Sequence, residues 1–301
     1  MTGPRSRVVK RIKNGLIYGC VAALVRLLGL LPWRLALGVG RALGWLAFRV
    51  AGRERRRALE NLDHTGLVPR RRRRAVAREM FVHLGQNAME CVVMRRLRPR
   101  LGTRDSPVRF SAGSREMLEN VVKRGKGVVF VTAHLGNWEL MAAEVACVAP
   151  VSVLRKPSYD PRFTKMIDDF RRSNGVAGIE VGHLRPILAA LARGEIVGIL
   201  LDQPVPSGCQ LPFLGQPAWT STLPGRLHQQ TGAEVLAGFV RRISRSCHIV
   251  DIVPISMGNS DDAGSRLLNE VIEDAICQTP NQWLWSLDRW RSTETERLSR
   301  P

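Results

Sequence analysis

At 301 residues with 45% apolar side chains, the chain can bury a full core, which excludes a disordered segment or a stapled miniprotein. Its formal net charge of +20 selects anionic partners, either nucleic acid or acidic lipid headgroups; a GC-rich genome would by itself favour arginine over lysine, so only the sign is informative. The six cysteines (Cys20, Cys91, Cys147, Cys209, Cys247 and Cys277) are scattered with no C-x-x-C pair, which argues against a metal site or disulfide framework and for a reduced, cytosolic setting.

The first apolar run, Leu16 to Leu31, contains Arg26 and stops at Pro32; the second, Leu35 to Val50, contains Arg41 and Arg49. A membrane-spanning helix needs about 20 apolar residues, so the first run is short. Arg5, Arg7, Lys10, Arg11 and Lys13 precede the pair, and Arg53, Arg55, Arg56 and Arg57 follow it. Basic flanks around apolar helices suit a cytoplasmic leaflet. This pattern predicts an inner-membrane anchor over residues 1–52, spanning or monotopic, with the body on the cytoplasmic side; the alternative is two buried helices of a soluble domain. No A-x-A-like site follows the first run, so a cleavable signal is not expected.

From Pro69 a long helical pattern places Val76, Met80, Phe81, Leu84, Ala88, Cys91 and Val92 on one face, behind a five-arginine block at 70–74. A strand at "VRF" and a helix near 114–124 follow, and Gly125 and Gly127 lead into the strand "VVFVTA". Further strands are predicted at 151–154, 196–201, 234–240 and 248–255. Helices are predicted near 161–172, 184–193, 223–230, 265–277 and 281–290, and a loop over 202–222. Alternating strands and helices predict an α/β fold, a mostly parallel central sheet flanked by helices, in one body after the anchor.

The heptad "HLGNWEL" follows "VVFVTA". His134 should lie at the carboxyl end of a strand, where open α/β sheets bind ligands, and Glu139 in the first turn of the next helix. A carboxylate there can reach the imidazole, fix its tautomer and stabilise the imidazolium. By spacing alone this is weak, since a histidine in a strand–helix turn is often a structural hydrogen-bonder. In its context the heptad resembles the acyltransferase motif of the glycerolipid and lipid A acyltransferase superfamily, most closely the late lipid A (lauroyl/myristoyl) branch. The resemblance covers nearly the whole chain, through "RRRALENL", "LRKPSYD", "RRSNG", "ILAALARGEIVGILLDQ", "LPFLGQPAWTSTLPGRLHQQTGAEVLAGFVRR" and "PNQWLWSLDRW".

The resemblance implies that residues 53–301 form an acyltransferase domain with His134 as general base and Glu139 as its paired carboxylate. Arg155, with the N–H groups around Gly136 and Asn137, is expected to steady an oxyanion or phosphate. Arg172, Asn174, Asp202 and Thr222 fall on matching segments and are either substrate contacts or structural. The branch usually reads W-x-H-R-R and then an aromatic near its end, whereas this chain has Trp285, Ser286, Leu287, Asp288, Arg289 and Trp290. If the missing residues bind a phosphorylated sugar, the acceptor differs from the usual lipid A precursor.

The implied reaction moves a fatty acyl group from acyl carrier protein or acyl-CoA to a hydroxyl of a membrane glycolipid. A lipid A precursor is the first acceptor considered, and a phosphatidylinositol mannoside or a lysophospholipid the alternative. No G-x-S-x-G, H-E-x-x-H or clustered Cys/His ligand set occurs, so no acyl-enzyme, metal or other cofactor is expected. A monomer that binds an anionic membrane is expected. A basic nucleic-acid-binding protein is the rival from another class; with 6% aromatics and no helix-turn-helix, RNP-like or zinc-finger spacing, only the charge supports it. A non-catalytic membrane scaffold, which would tolerate loss of His134, is a third reading.

Overall fold

The computed structural model describes residues 4–258 and 261–290, with side chains for 13–258 and 263–290. Helix α1 (Pro4–Leu28) ends in a turn before Pro32, which cannot continue a helix, and α2 (Trp33–Val50) begins directly after it. Arg5, Arg7, Lys10 and Arg11 fall within α1, but their side chains lie outside the described residues. The chain then bends by 86° into α3 (Gly52–Thr65), an element absent from the sequence reading. Helix α4 (Arg70–Val92) crosses α2 at backbone contact. A Cβ on Gly40, Gly44 or Gly85 would strike the opposing backbone, so these glycines set how closely the two axes approach.

The inner face of α2 (Ala36, Leu37, Phe48) is buried, whereas Leu35, Leu43, Trp45, Leu46 and Val50 face outward. Among the described residues no single helix is long and apolar enough to cross a membrane; the bent α2–α3 pair passes on length and composition only.

After the short α5 (Met94–Leu97) come β1 (Val108–Phe110), α6 (Ser114–Lys123), β2 (Val128–Thr132), α7 (Trp138–Val145), β3 (Val151–Arg155) and α8 (Pro161–Ser173). They are followed by β4 (Val176–Glu180), α9 (Leu184–Ala192), β5 (Ile196–Leu200) and a two-stranded hairpin, β6 (Cys209–Phe213) with β7 (Gln216–Thr220). Helix α10 (Leu223–Thr231), β8 (Glu234–Ser244), β9 (Cys247–Pro254) and α11 (Asp261–Gln278) complete the described elements.

The seven-stranded sheet has the order β1-β9-β8-β2-β5-β3-β4. Strands β8, β2, β5, β3 and β4 run parallel; β9 folds back antiparallel on β8, and β1 follows β9. Every residue of β2 is buried, because its alternate side chains enter different cores. Val129 and Val131 pack with the C-terminal tryptophans, while Val128 and Phe130 pack with α6 and α7. A continuous β-branched run is what a strand covered on both faces requires.

Three sequence expectations change. The 202–222 loop contains the β6–β7 hairpin, whose turn uses Leu214 and Gly215 at φ of 49° and 75°. Edge strand β4 is additional. The helix expected at 281–290 does not form: the segment is irregular, with Trp283, Trp285 and Trp290 buried in the core. Its closely spaced tryptophans record burial, not helical periodicity.

Candidate active site

Strands β2 and β5 are paired in register, Thr132 opposite Leu200, so the residues just beyond them meet at the carboxyl edge of the sheet. His134 follows β2, and Asp202 follows β5. The Asp202 carboxylate accepts the His134 backbone N–H at 2.8 Å (Oδ2) and faces ring Nδ1 at 2.8 Å (Oδ1). It also accepts the Trp283 indole N–H at 2.8 Å. With Nδ1 donating to Asp202, Nε2 is left as the basic nitrogen.

Asp202 is fully buried. Burial works to raise its pKa, but the His134 charge and the converging N–H donors hold it below the ordinary 3.8. Burial works to lower the pKa of His134, yet the Asp202 charge and hydrogen bond, with a contribution from Glu139, raise it above the ordinary 6.5.

The pairing expected between His134 and Glu139 is therefore corrected: the ring's carboxylate partner is Asp202. Glu139, in the first turn of α7, accepts from Arg171, at 3.1 Å from Nε to Oε2 and at 2.5 Å from Nη2 to Oε1. Both groups are largely buried, and Glu139 reaches His134 through its charge.

His134 opens on a cavity of about 290 Å³. Arg155, Lys156, Arg171, Gln203 and Ser221 supply its polar wall, and Leu154, Ile199 and Leu201 its apolar one. Arg155 Nε lies 2.8 Å from Asp168 Oδ1 as an ion pair without hydrogen-bond alignment, and Nη1 donates to Glu180 at 3.3 Å. An apolar cleft of about 50 Å³ adjoins this cavity and shares Leu154, Arg171, Ile199 and Leu200 with it. Phe130, Met141, Val145, Val151 and Val153 line its far end.

The other expected site residues separate. Gly136, at φ 58°, donates its N–H to the Gln282 carbonyl at 3.1 Å, so that donor is not free for an oxyanion. A Cβ there would collide with the Val240 carbonyl oxygen. The Asn137 side chain caps α7 by accepting from Leu140 N–H and donates to buried Glu90 at 2.7 Å, so it is structural. Arg172 is exposed and pairs with Asp169, whereas its neighbour Arg171 faces the cavity; the helical rotation of α8 separates them. Asn174 folds back to donate to the Phe170 carbonyl. Thr222 is buried at the start of α10, and Ser221 lines the cavity instead.

Sequence reasoning missed Arg171, Lys156, Ser221 and Trp283. It placed Asp202 at the close of a strand without its partner, because strand adjacency is not encoded in spacing. The C-terminal difference acquires a structural meaning. Arg289 is completely buried and donates to Thr220 Oγ1 at 2.9 Å and to the Trp219 carbonyl; burial lowers its pKa to about 10. It braces the hairpin and does not line the cavity.

The model of the bacterial lipid A biosynthesis acyltransferases matches residues 7–292. The chain belongs to this family. Curated relatives include the lipid A biosynthesis palmitoleoyltransferase of Escherichia coli (strain K12), 25% identical over 196 residues, which are 62% of this chain and 64% of that protein. A lipid A biosynthesis acyltransferase of Shigella flexneri matches with the same identity and coverage. The alignments thus span somewhat less than two thirds of either relative.

Proposed function

We propose that this protein transfers a fatty acyl group from a thioester, on acyl carrier protein or coenzyme A, to a hydroxyl of a membrane glycolipid of the lipid A precursor class. The carrying observation is the His134 imidazole, held through Nδ1 by a buried carboxylate and opening on a cavity walled by Arg155, Lys156 and Arg171. Family membership supports the same reading.

In this mechanism His134 Nε2 takes the proton of the acceptor hydroxyl as its oxygen attacks the thioester carbonyl. Asp202, and Glu139 through its charge, stabilise the imidazolium. The cavity cations stabilise the tetrahedral oxyanion; a well-placed donor contributes about 3–4 kcal/mol to such a step. Collapse breaks the C–S bond, and the thiolate recovers the proton from His134. The adjoining cleft suits the first carbons of the acyl chain, since its walls are apolar apart from Thr132 and the mutually paired Glu139 and Arg171. The outward leucines of α1, α2 and the turn between them (Leu24, Leu27, Leu30, Leu35, Leu43 and Leu46) suit insertion into the cytoplasmic face of the inner membrane.

The test is lipid mass spectrometry of cells with the gene, without it, and with His134→Ala. One lipid should lose a single acyl group in the last two strains. An unchanged lipid profile in the deletion strain, or full transfer by folded His134→Ala protein, would refute the reading.

A further inference from the structure

Behind the sheet edge, on the side of α2 and α4, two open pockets of about 800 and 480 Å³ share Arg41, His83 and Gln86. Arg78 and Trp45 extend the first, and Arg242, near the end of β8, and Arg245, in the β8–β9 turn, the second. Neither shares a residue with the reaction cavity.

The site concentrates positive charge that is only partly answered: Arg242 is paired with Glu90, whereas its neighbours are not. Among the described residues, no carboxylate pairs with Arg41, Arg78 or Arg245. Glu79 is the one carboxylate in the walls, and it accepts from Asn281 at 3.0 Å. Glu90 lies sealed beneath, bonded to Arg242, His248 and Asn137. Arg242 is almost completely buried, yet its Nε has no partner; the buried His83 Nδ1 also lacks one. Burial first, then the charges of Arg242, His248 and Arg41, against an opposing pull from Glu90, lower the His83 pKa to about 4. The neighbourhood resists another cation and favours an anion.

The apolar surroundings select the kind of anion. Trp45 stands in the pocket wall with the Arg49 guanidinium 3.6 Å above its ring, and outward Leu43 and Leu46 flank it on α2. An aromatic ring between guanidiniums and exposed leucines matches the depth at which lipid phosphates lie beside acyl chains.

We infer that Arg41, Arg78, His83, Arg242 and Arg245 form a binding pocket for the phosphate headgroup of an anionic membrane phospholipid, separate from the reaction cavity. The inference does not depend on the acyl-transfer reading, because its test is binding.

Full-length protein would be co-sedimented with vesicles of phosphatidylcholine alone or mixed with phosphatidylglycerol. The double variant Arg41→Ala/Arg245→Ala removes two exposed cations and should bind the mixed vesicles roughly 30-fold more weakly, with phosphatidylcholine binding unchanged. The control Arg71→Ala/Arg72→Ala removes equal charge at the start of α4 and should lose much less. Equal loss in both variants would overturn the pocket in favour of diffuse attraction. Inorganic phosphate that erased the mixed-vesicle preference, where chloride of matched ionic strength did not, would make it a free-phosphate site and overturn the lipid assignment. Unchanged vesicle binding with weakened binding of acyl carrier protein would overturn it in favour of a carrier-docking face.

Discussion

Two histidine–carboxylate pairs lie within this one sheet's reach, and their contrast separates chemistry from support. His134 meets Asp202 at 2.8 Å, and His248 meets Glu90 at 3.1 Å. Among the described residues, Asp202 receives hydrogen bonds from neutral N–H donors besides the imidazole, so its negative charge remains available to an imidazolium. Glu90 is already answered by the Arg242 guanidinium through two hydrogen bonds. The His134 side chain is 12% exposed at a cavity, whereas those of His248 and Glu90 are fully buried. In the proposed mechanism the first pair exchanges a proton with the substrate, whereas the second holds Asn137 and thereby the start of α7.

The largest test of this contrast is His134→Ala, expected to lower kcat by about 10²- to 10⁴-fold, the range of general-base contributions, while the thermal unfolding midpoint stays near that of the parent. His248→Ala should show the opposite signature, lost stability with kcat retained in the folded fraction. Glu90→Ala comes next, because it leaves Arg242 buried without its counter-charge. It should cost about 3–5 kcal/mol in chemical denaturation. Glu90 has its pKa depressed from 4.5 to about 2: burial opposes the shift, and His248 and Arg242 impose it. Its stabilisation is therefore full above pH 4.5 and declines as pH falls from there towards 2. Denaturation of Glu90→Gln across that interval should lack this acid-dependent loss.

Asp202→Asn sharpens the comparison at the reactive pair, with an expected fall in kcat of about 10²-fold. In the proposed mechanism His134 acts as a base only when neutral, and its pKa is raised above 6.5, so activity should climb as pH rises through that raised value. Removing the Asp202 charge lowers the pKa and should move the acid limb of the kcat/KM profile to lower pH. A limb that stayed in place would detach Asp202 from the base. The smallest effect belongs to Arg172→Ala, within about 0.5 kcal/mol in stability and without change in kcat, since the side chain is exposed. Arg171→Ala, one residue away, should impair transfer.

The sheet was largely legible because β2, β3, β5, β8 and β9 are rich in valine and isoleucine, with Gly127 and Gly194 just ahead of β2 and β5. Strand β4 was not: Ala177 and Gly178 at its centre carry no apolar signature, and only the β3 partner makes it a strand. The hairpin was hidden by Pro212 and Pro217, which sit opposite each other in a short, separate ladder. His134 was legible as a residue at a strand end. Its partner was not, because Asp202 is 68 positions away and is brought near only by the β2–β5 register. Glu139 is close to His134 in sequence, but Arg171 arrives on α8 and takes both its oxygens.

The Asn281–Trp290 stretch carries a temporal consequence. Gln282 accepts the Gly136 N–H and, through its side chain, clasps Arg242; Leu284 N–H reaches the His134 carbonyl; Trp283 anchors Asp202. The histidine motif thus leaves the ribosome well before the segment that latches it. Nascent chains halted before residue 281 would carry the histidine without its clasp, so the order of synthesis places the imidazole ahead of the residues that fix it.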